Sequence, residues 1–527
     1  MMMTDTTGRQ IRIASIVMMA SVLLSRILGY ARDAVIAWGH GATGATDAYF
    51  AAFTIPDFLN YLLAGGSLSI TFIPIYARYL AEGREDEGRR VFSTVITAMG
   101  IVIALFVIAG ELFAERLIPL IAPGFPPAQV EIAARLTRIV LPAQTFFYFG
   151  GLLMAVQYAH KRFLIPALAP LVYNAGIIVG GLTLGARYGM DGFAWGVLGG
   201  SFLGNFALQA WGAARTGLRY SPRLDLSDPG LREFVKLSIP IMLGFSLTVV
   251  DEWMLRVFGS LLVVGTITWI NNARRLMQVP VGVLGQASGV ASYPFLSALA
   301  ARGETEEMWK TLSSTLRWVF FVSCALSAAT FVLSKEVVLL VFHRGAFGIA
   351  DTANTALALS AFAIGIPFWC AQSIVARGFF AMKDTWTPTI VGTGALFLTL
   401  PLYWFFRKWM GLFGLSLASS AGIVLYATVL YGRLMRKTVG AKGLADAAEF
   451  GRIFLASAAV AVLGSTLLPG AAWLPDWTTV TGALLRISAV GVLVVVAVFA
   501  VAFALGSTTV HGIHRLKDLI RPPATGA

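Results

Sequence analysis

Long apolar stretches separated by short polar connections recur from one end of this 527-residue chain to the other. A helix of about 20 apolar residues crosses the hydrocarbon core of a bilayer, and backbone polar groups inside lipid must be paired within the segment. The pattern predicts about 14 transmembrane helices. Their centres lie near residues 20, 62, 103, 145, 174, 202, 246, 281, 325, 365, 396, 422, 461 and 494. The expected fold class is an all-α polytopic membrane protein.

Basic residues divide unevenly between alternate connections. The even-numbered connections carry Arg78, Arg84, Arg89, Arg90, Lys161, Arg162, Arg215, Arg219, Arg223, Arg232, Lys236, Arg302, Lys310, Lys383, Arg433, Arg436, Lys437, Lys442 and Arg452. The odd-numbered connections are nearly free of them, and the main exceptions are Arg187, Arg344, Arg407 and Lys408. Because basic loops stay on the cytoplasmic side, we expect both termini in the cytoplasm. The net charge of +13 therefore reflects membrane orientation, and no nucleic-acid partner is expected.

An eight-residue pattern occurs after the fourth and again after the tenth predicted span. Residues 159–166 read AHKRFLIP and residues 381–388 read AMKDTWTP, so Ala, Lys and Pro recur at the same spacing. Because the copies lie six helices apart, both halves would share one topology, as in alternating-access transporters. We predict two six-helix lobes in a pseudo-twofold repeat plus two C-terminal helices; a scaffold with a degenerate repeat is the alternative. The predicted domains are residues 1–230, residues 231–445, and residues 446–527, which hold spans 13 and 14 and a basic cytoplasmic tail.

Ionisable residues inside a span are costly and mark functional sites by default. In the first span, Arg26 and Arg32 are six residues apart, about 120° from a shared helix face, although long side chains can converge on one cavity. The adjacent Asp33 either neutralises one arginine or caps a helix break. The stretch has no small-residue cleavage site, so we interpret it as a retained helix and not a signal peptide.

The second span opens with Asp47 and continues through Pro56, Asn60, Gly65 and Gly66. Proline and glycine at mid-span predict a bent helix whose backbone faces a cavity. A packing kink would explain the glycines equally well. Asp47 lies near the outer end of the span and is a candidate partner for an arginine.

The seventh and eighth spans carry further charges. Glu252 and Arg256 are four residues apart, a spacing that favours an intrahelical pair. This leaves Asp251, which either binds a cation or proton or neutralises Arg275. Arg274 and Arg275 lie side by side in an apolar helix, where an anion-binding cavity would justify them, since the planar guanidinium fits phosphate and pyrophosphate. The alternative is that one of them, Arg274 before Arg275, snorkels to an interface.

Motifs for other chemistry are absent from the sequence. It contains no Gly-x4-Gly-Lys-Ser/Thr phosphate loop and no His-Glu-x-x-His metal motif. Its two cysteines, Cys324 and Cys370, lie within apolar stretches. We expect no enzymatic activity, no metal and no cofactor. An arginine-rich cavity favours a carrier for an anionic substrate, with phosphate as the best-matched anion.

Several motifs resemble the MurJ/MviN family of lipid II flippases, in the multidrug/oligosaccharidyl-lipid/polysaccharide exporter superfamily. The most specific is SRILGYARD at residues 25–33. The others are ATDAYF at 45–50, FIP at 72–74, APGF at 122–125, RLM at 275–277, PVGVLG at 280–285 and DTWTP at 384–388. The resemblance extends through all predicted spans, although the last two match mainly in hydrophobicity. It implies a two-lobed carrier that flips undecaprenyl-pyrophosphoryl disaccharide-pentapeptide outward for peptidoglycan synthesis.

The resemblance also implies roles for particular residues. By position, the essential cavity arginines of the family fall on Arg26, Arg32 and Arg275, and its essential outer aspartate falls on Asp47. These four are also singled out by the cost of placing charge in a membrane.

Three positions depart from the family pattern. Where members carry a further cavity arginine in the second span, this chain has Asn60, and a nearby acidic residue is replaced by Gly65. The residue before the eighth-span arginine is often acidic, and here it is Arg274, whose charge is a candidate compensation. Some members bind sodium through spans 7 and 11. Asp251 could match the first of these, but the eleventh span has no carboxylate after Asp384.

The leading hypothesis is a lipid II flippase of the bacterial inner membrane that works by alternating access. The departures at Asn60 and Gly65 keep open a flippase for another polyprenyl-linked oligosaccharide, such as an exopolysaccharide unit. A non-transporting scaffold for cell-wall enzymes is a third hypothesis. The expected partners are lipid II or a related anionic glycolipid and the bilayer, with a coupling cation and cell-wall synthesis proteins as further candidates.

Overall fold

The computed structural model describes residues 2–61, 71–242, 247–468 and 474–511. The chain forms helices joined by turns, and no strand occurs within those ranges. The helices of the first half are α1 (Met2–His40), α2 (Gly44–Ala52), α3 (Thr54–Leu59), α4 (Ile73–Ala81), α5 (Glu85–Ile121), α6 (Pro127–Val140), α7 (Ala143–Ala159), α8 (Leu164–Tyr188), α9 (Met190–Ser201), α10 (Leu208–Ala214) and α11 (Pro229–Met242). Those of the second half are α12 (Leu247–Ser260), α13 (Thr266–Pro280), α14 (Ala287–Ala301), α15 (Thr305–Val332), α16 (Ser334–Phe342), α17 (Ile349–Ala363), α18 (Ile366–Ala381), α19 (Trp386–Thr438), α20 (Leu444–Leu467), α21 (Val480–Ala504) and α22 (Thr508–His511). The all-α prediction is confirmed.

Many of these helices are long enough to cross a membrane. Among the described residues, seven helical segments are sufficiently long and apolar: Glu85–Ile121, Pro127–Ala159, Leu164–Tyr188, Thr305–Val332, Trp386–Thr438, Leu444–Leu467 and Val480–Ala504. α17 and α18 qualify together as a pair bent by 45°, which would make an eighth. α19 contains non-helical backbone angles at Gly411, where two helices meet. The polytopic character is confirmed, and the total of about 14 spans stays a prediction.

Large apolar side chains cover the outside of these helices. Leu112 is 71% exposed, Leu120 74% and Leu467 69%. Exposing such groups to water costs about 25 cal/mol per Å², whereas lipid tails are as apolar as leucine. The surface is therefore suited to a bilayer.

The chain folds into two compact units. The first comprises Met1–Phe245 with two short later segments, Val263–Thr268 and Arg344–Phe347. The second comprises Ser246–Leu262, Trp269–His343 and Gly348–Ala527. The predicted division at residues 230 and 445 stays a prediction. Most of the predicted basic tail, residues 512–527, lies outside the described residues.

Glycines bring two helices of the first unit into close contact. A Cβ atom placed on Gly180 of α8 would come within 2.6 Å of the Gly196 Cα on α9, and one placed on Gly176 within 2.5 Å of the Gly200 Cα. Small residues at helix interfaces are typical of membrane helices, because association there depends on close packing. The tight pair fixes α8, which also packs against α1.

The sequence repeat has a matching backbone. Lys161 and Lys383 both have a positive φ, 58° and 61°, and are the two non-glycine residues that do so in the described chain. Each follows the end of a helix, and its N–H donates to a carbonyl three residues earlier, at 2.9 Å and 3.0 Å respectively. Left-handed residues commonly end helices in this way. The two copies therefore form the same turn.

A pair of glycines extends this equivalence. Gly189, between α8 and α9, has φ 57° and ψ −132°, and Gly411, within α19, has φ 57° and ψ −130°. Only glycine adopts such a conformation readily. The two glycines are 222 residues apart, as are Lys161 and Lys383. The predicted internal repeat is thus present in the backbone.

Candidate substrate-binding and gating residues

Arg32 is the centre of the first polar cluster. On α1, its Nε and Nη2 atoms both lie 2.8 Å from Oδ1 of the buried Asp33. From α8, Asn174 accepts a hydrogen bond from Arg32 Nη1 at 3.3 Å. The Asn174 amide nitrogen donates to the Pro170 carbonyl at 2.9 Å, which orients its oxygen towards the arginine. Asp33 thus neutralises Arg32, and the continuous α1 offers it no helix break to cap.

Arg26 has a different environment on the same helix. Its side chain is exposed, whereas only 15% of the Arg32 side chain is accessible. The six-residue spacing turns the two arginines about 120° apart. α1 therefore exposes one arginine and half-buries the other.

Asp47 caps the start of α13, which lies in the segment Val263–Thr268 of the first unit. A capping box between Thr43 and Thr46 begins α2 and turns Asp47 inwards, where it is 3% exposed. Its carboxylate accepts hydrogen bonds from the backbone N–H groups of Gly265 (2.7 Å) and Thr268 (2.8 Å) and from the Thr268 hydroxyl (2.7 Å). These groups form the first turn of α13, where the helix dipole favours a negative charge. Within the described residues, the contacts make Asp47 a helix cap instead of an arginine partner.

The second predicted span is broken into short helices. α2 and α3 meet at Phe53, and a π-helical turn follows at residues 60–61. Asn60 lies half-buried in this turn, at the end of α3. The helix is interrupted within the described part of this span, and the predicted bend at Gly65 and Gly66 stays a prediction, since both lie outside the described residues.

A second polar cluster surrounds Asp251 on α12. Arg274 of α13 forms an ion pair with its carboxylate. The hydroxyl of Tyr403 donates to Oδ1, and that of Ser419 donates to Oδ2 at 3.0 Å. Both hydroxyls come from α19, on opposite sides of Gly411. All four residues are at most 6% exposed. Charge-assisted hydrogen bonds therefore join α12, α13 and α19 out of contact with water.

The burial of this cluster decides between the roles left open for Arg274 and for Asp251. Arg274 is 6% exposed, and its guanidinium carbon lies 5.8 Å from the centre of the Trp369 ring. The alternative that Arg274, before Arg275, snorkels to an interface is not what the structure shows, because a carboxylate within reach stabilises its charge in place. Of the roles left open for Asp251, neutralising an arginine is the one observed, with Arg274 as the partner.

Three arginines and two carboxylates meet on α12 and α13. Glu252 pairs with Arg256 at 2.9 Å, which confirms the predicted intrahelical pair. Glu252 also lies within electrostatic reach of Arg274 and Arg275. Together with Asp251 these groups have a net charge of +1. Since Arg275 is only half-buried, this excess positive charge is placed where it can attract an anion.

Comparisons with known proteins identify the family of the chain. The model of the family described as lipid II flippase MurJ matches residues 36–489. The chain belongs to the MurJ family. The predicted family is thereby confirmed, and it is a family of transporters. The first-span motif at residues 25–33 precedes the matched range.

Other members of the MurJ family are similar over most of their length. The probable lipid II flippase MurJ of Vibrio cholerae is 27% identical over 453 residues, which are 82% of this chain and 86% of that protein. The lipid II flippase MurJ of Burkholderia cenocepacia is 28% identical over 425 residues, 79% of this chain and 82% of that protein.

Solved structures share the fold of this MurJ-family chain. A lipid II flippase MurJ in an inward closed conformation aligns with 96% of this chain and 100% of its own, with a TM-score of 0.77 and 24% identity. An inward-facing multidrug resistance MATE family transporter aligns with 80% of this chain and 98% of its own, with a TM-score of 0.65 and 13% identity. At these identities the likeness establishes the fold.

Sequence reasoning identified the charges of this MurJ-family chain and missed their neutral partners. Asn174, Tyr403 and Ser419 each bond to an ionisable residue that the sequence had pointed to. An amide at the centre of a predicted span was a usable signal for Asn174, because a buried polar group needs a partner. Single hydroxyl groups are common in membrane helices, so Tyr403 and Ser419 had no distinguishing signal.

Proposed function

We propose that this protein is a lipid II flippase, which carries undecaprenyl-pyrophosphoryl disaccharide-pentapeptide from the inner to the outer leaflet of a bacterial inner membrane by alternating access. The family match over residues 36–489 carries the proposal. The relatives bearing this name are matched over most of their length, 86% for the Vibrio cholerae protein. The similarity therefore extends over most of the protein and is not confined to one segment.

In this proposal, Arg26, Arg32 and Arg275 bind the pyrophosphate. Each guanidinium offers planar N–H donors that pair with phosphate oxygens two at a time. The net positive charge around Arg275 supports its part. Arg274 has another role, since it is buried against Asp251, whereas Arg32 and Arg275 are half-buried and Arg26 is exposed. It holds the carboxylate in place beside the substrate-binding arginine.

Asp47 is the candidate gate. It holds the first turn of α13 through three hydrogen bonds, which can break and reform during a cycle. Alternating access requires reversible contacts of this kind. Asp47→Asn keeps the size of the side chain but places an N–H donor against backbone N–H groups, so we expect it to impair transport. Asn60, in the bend of the same span, is a candidate polar contact for the substrate.

The membrane potential supplies the driving force in this proposal. Moving one elementary charge across 100 mV is worth about 2.3 kcal/mol. Asp251 already has a cationic partner in Arg274, which favours a potential-driven cycle over a cation bound at Asp251. Transport into vesicles with an imposed potential, with and without sodium, separates these cases. We expect a rate that follows the potential and ignores sodium; an absolute sodium requirement would contradict it.

Rescue of a bacterium depleted of its own lipid II flippase tests the function. Wild type, Arg275→Ala and the control Arg187→Ala are compared at equal membrane abundance, scoring growth and lipid II on the outer face. Arg187 is an exposed arginine at the end of α8, 5.4 Å from the centre of the Tyr188 ring. We expect rescue by wild type and Arg187→Ala only. Failure of abundant wild type would refute lipid II as the substrate, and rescue by Arg275→Ala would remove the role of that arginine.

We further propose that both termini face the cytoplasm. The alternation of basic connections along the sequence supports this orientation. A reporter enzyme active only outside the cytoplasm should be inactive at the N-terminus and active between α20 and α21. The reverse pattern would overturn the orientation. Association with cell-wall synthesis proteins stays a prediction.

A further inference from the structure

A cavity of about 310 Å³ opens among helix ends of the second unit, and none of the substrate-binding candidates lines it. Its walls come from α15, α16, α17, α20 and α21. One part of the wall is apolar and includes Phe331, Leu468 and Val490, and the other part carries Lys335, Glu336 and Arg486. The cavity is therefore amphipathic.

The charged groups of the cavity are held in place. Glu336 is 3% exposed, and its Oε1 lies 2.7 Å from Arg486 Nε. Arg486 Nη1 donates to the Pro475 carbonyl at 3.2 Å. A guanidinium has five N–H donors, more than these two contacts use. With Lys335, the cavity has two cationic groups and one carboxylate, a net charge of +1.

The first turn of α16 forms part of the cavity wall. Leu333 occupies its N-cap position, where an apolar side chain cannot accept hydrogen bonds from the first-turn N–H groups. Ser334, Lys335 and Glu336 of this turn line the cavity. The C-terminal ends of α15 and α20 lie at the same cavity, so the helix dipoles give no net positive field there. The side chains of Lys335 and Arg486, which outnumber the one carboxylate, are what favours an anionic ligand.

The cavity lies beside the ends of three helices that are long and apolar enough to cross a membrane. Around it α15 ends at Val332, α20 ends at Leu467 and α21 begins at Val480. Lys335 Nζ lies 5.3 Å from the centre of the Trp477 ring, and tryptophan beside the ends of spans is typical of membrane interfaces. Leu467 and Val480 are 69% and 54% exposed. These features are typical of the boundary between hydrocarbon and water.

We propose that this cavity binds the phosphate headgroup of an anionic glycerophospholipid, whose acyl chains follow the apolar wall. A soluble anion would use the positive groups but leave that wall in water, whereas a lipid satisfies both halves of the lining. Because α20 and α21 both contribute to the wall, the bound lipid attaches this last pair of helices to the rest of its unit. The site does not depend on lipid II transport.

Native mass spectrometry of the purified full-length protein tests the site, with dioleoyl phosphatidylglycerol and dioleoyl phosphatidylcholine as probes. The first variant is Lys335→Gln. Its control is Lys408→Gln, which changes another exposed lysine whose Nζ also lies 5.3 Å from a tryptophan ring, that of Trp404. One basic side chain near an anionic lipid is worth roughly 1 kcal/mol, so we expect about five-fold weaker phosphatidylglycerol binding in Lys335→Gln. We expect no change in the control.

A second variant leaves the charged residues of the cavity unchanged and fills its volume. Ala353 lines the cavity and is only partly buried, so Ala353→Phe should fill it and reduce phosphatidylglycerol binding at an unchanged elution profile. Equal binding by Lys335→Gln and wild type would overturn the proposal, as would an equal loss in Lys408→Gln. Displacement of the lipid by equimolar inorganic phosphate would also overturn it, in favour of a soluble-anion site.

Discussion

Two arginines inside the helical units, Arg32 and Arg274, are neutralised in different ways. Arg32 takes its carboxylate from the next residue of the same helix, Asp33. Arg274 takes its carboxylate from Asp251, 23 residues earlier on another helix. The accessible parts of the two arginine side chains are 15% and 7%. The first charge is therefore balanced within α1 alone, whereas the second is balanced only when α12 and α13 pack together.

This contrast indicates which cluster can move. A pair within one helix travels with that helix, so α1 can shift without separating opposite charges. A pair between helices resists separation, because each buried ion left alone costs several kcal/mol. The Asp251 cluster is thus the rigid part of its unit, and the Arg32 cluster is the adaptable part of the other.

The largest effect is expected for Arg274→Met, which leaves Asp251 buried without its cation. Breaking a buried pair in this way costs about 3–5 kcal/mol, measured as a loss in the free energy of unfolding of the purified protein. Adding Asp251→Asn to the same chain should recover most of the loss. If it does not, the arginine stabilises the unit through packing and not through charge.

A smaller loss is expected for Tyr403→Phe, because a hydrogen bond to a charged group contributes about 1.5–3 kcal/mol. Tyr148→Phe is the matched control. Tyr148 is fully buried, and its hydroxyl makes no hydrogen bond within the described part of the chain. The control should lose no stability in the same unfolding measurement. Equal costs for the two variants would show that the Asp251 contact adds nothing.

In the adaptable cluster, Asn174→Leu should cost less stability than Tyr403→Phe, about 1 kcal/mol. It removes one 3.3 Å hydrogen bond to Arg32 and leaves the ion pair with Asp33. Transport in the rescue assay should fall more than stability does, since Arg32 loses its orienting contact. A stability loss as large as that of Arg274→Met would contradict the difference proposed between the Arg32 cluster and the Asp251 cluster.

The smallest effect is expected in the repeated turn of the second half, for Asp384→Asn. Partial burial acts to raise the pKa of Asp384, but hydrogen bonds from Lys437 and Thr387 outweigh it and lower that pKa. A lowered pKa in the folded state means that the carboxylate stabilises the fold above its ordinary pKa. That contribution is lost as the pH falls through the lowered value. The pair is partly exposed, so the variant should cost at most about 1 kcal/mol at neutral pH.

The matching turn of the first half supplies the control for this pH dependence. Arg162 stands where the second half has Asp384, so Arg162→Gln should change stability equally at neutral and acidic pH. Unfolding midpoints at several pH values measure both variants. A difference between Asp384→Asn and wild type that persists in acid would contradict the assignment.

Helices, the repeat and the buried charges could be predicted from sequence, because each follows from a periodic pattern or a large energetic cost. Arg32 and Arg274 were detectable from the cost of charge in a membrane. Their partners were harder to predict, because contacts such as that of Tyr403 with Asp251 depend on how helices rotate against each other. The positive φ of Lys383 was also beyond sequence reasoning, since lysine rarely adopts it.

The shared backbone of Gly189 and Gly411 has a consequence for the origin of the chain. Tandem duplication of one ancestral gene explains how the same unusual angles recur 222 residues apart, the spacing that also separates Lys161 from Lys383. After such a duplication each half can keep the shared turns and change its charges. The two halves of this chain share those turns and differ in how their buried arginines are paired.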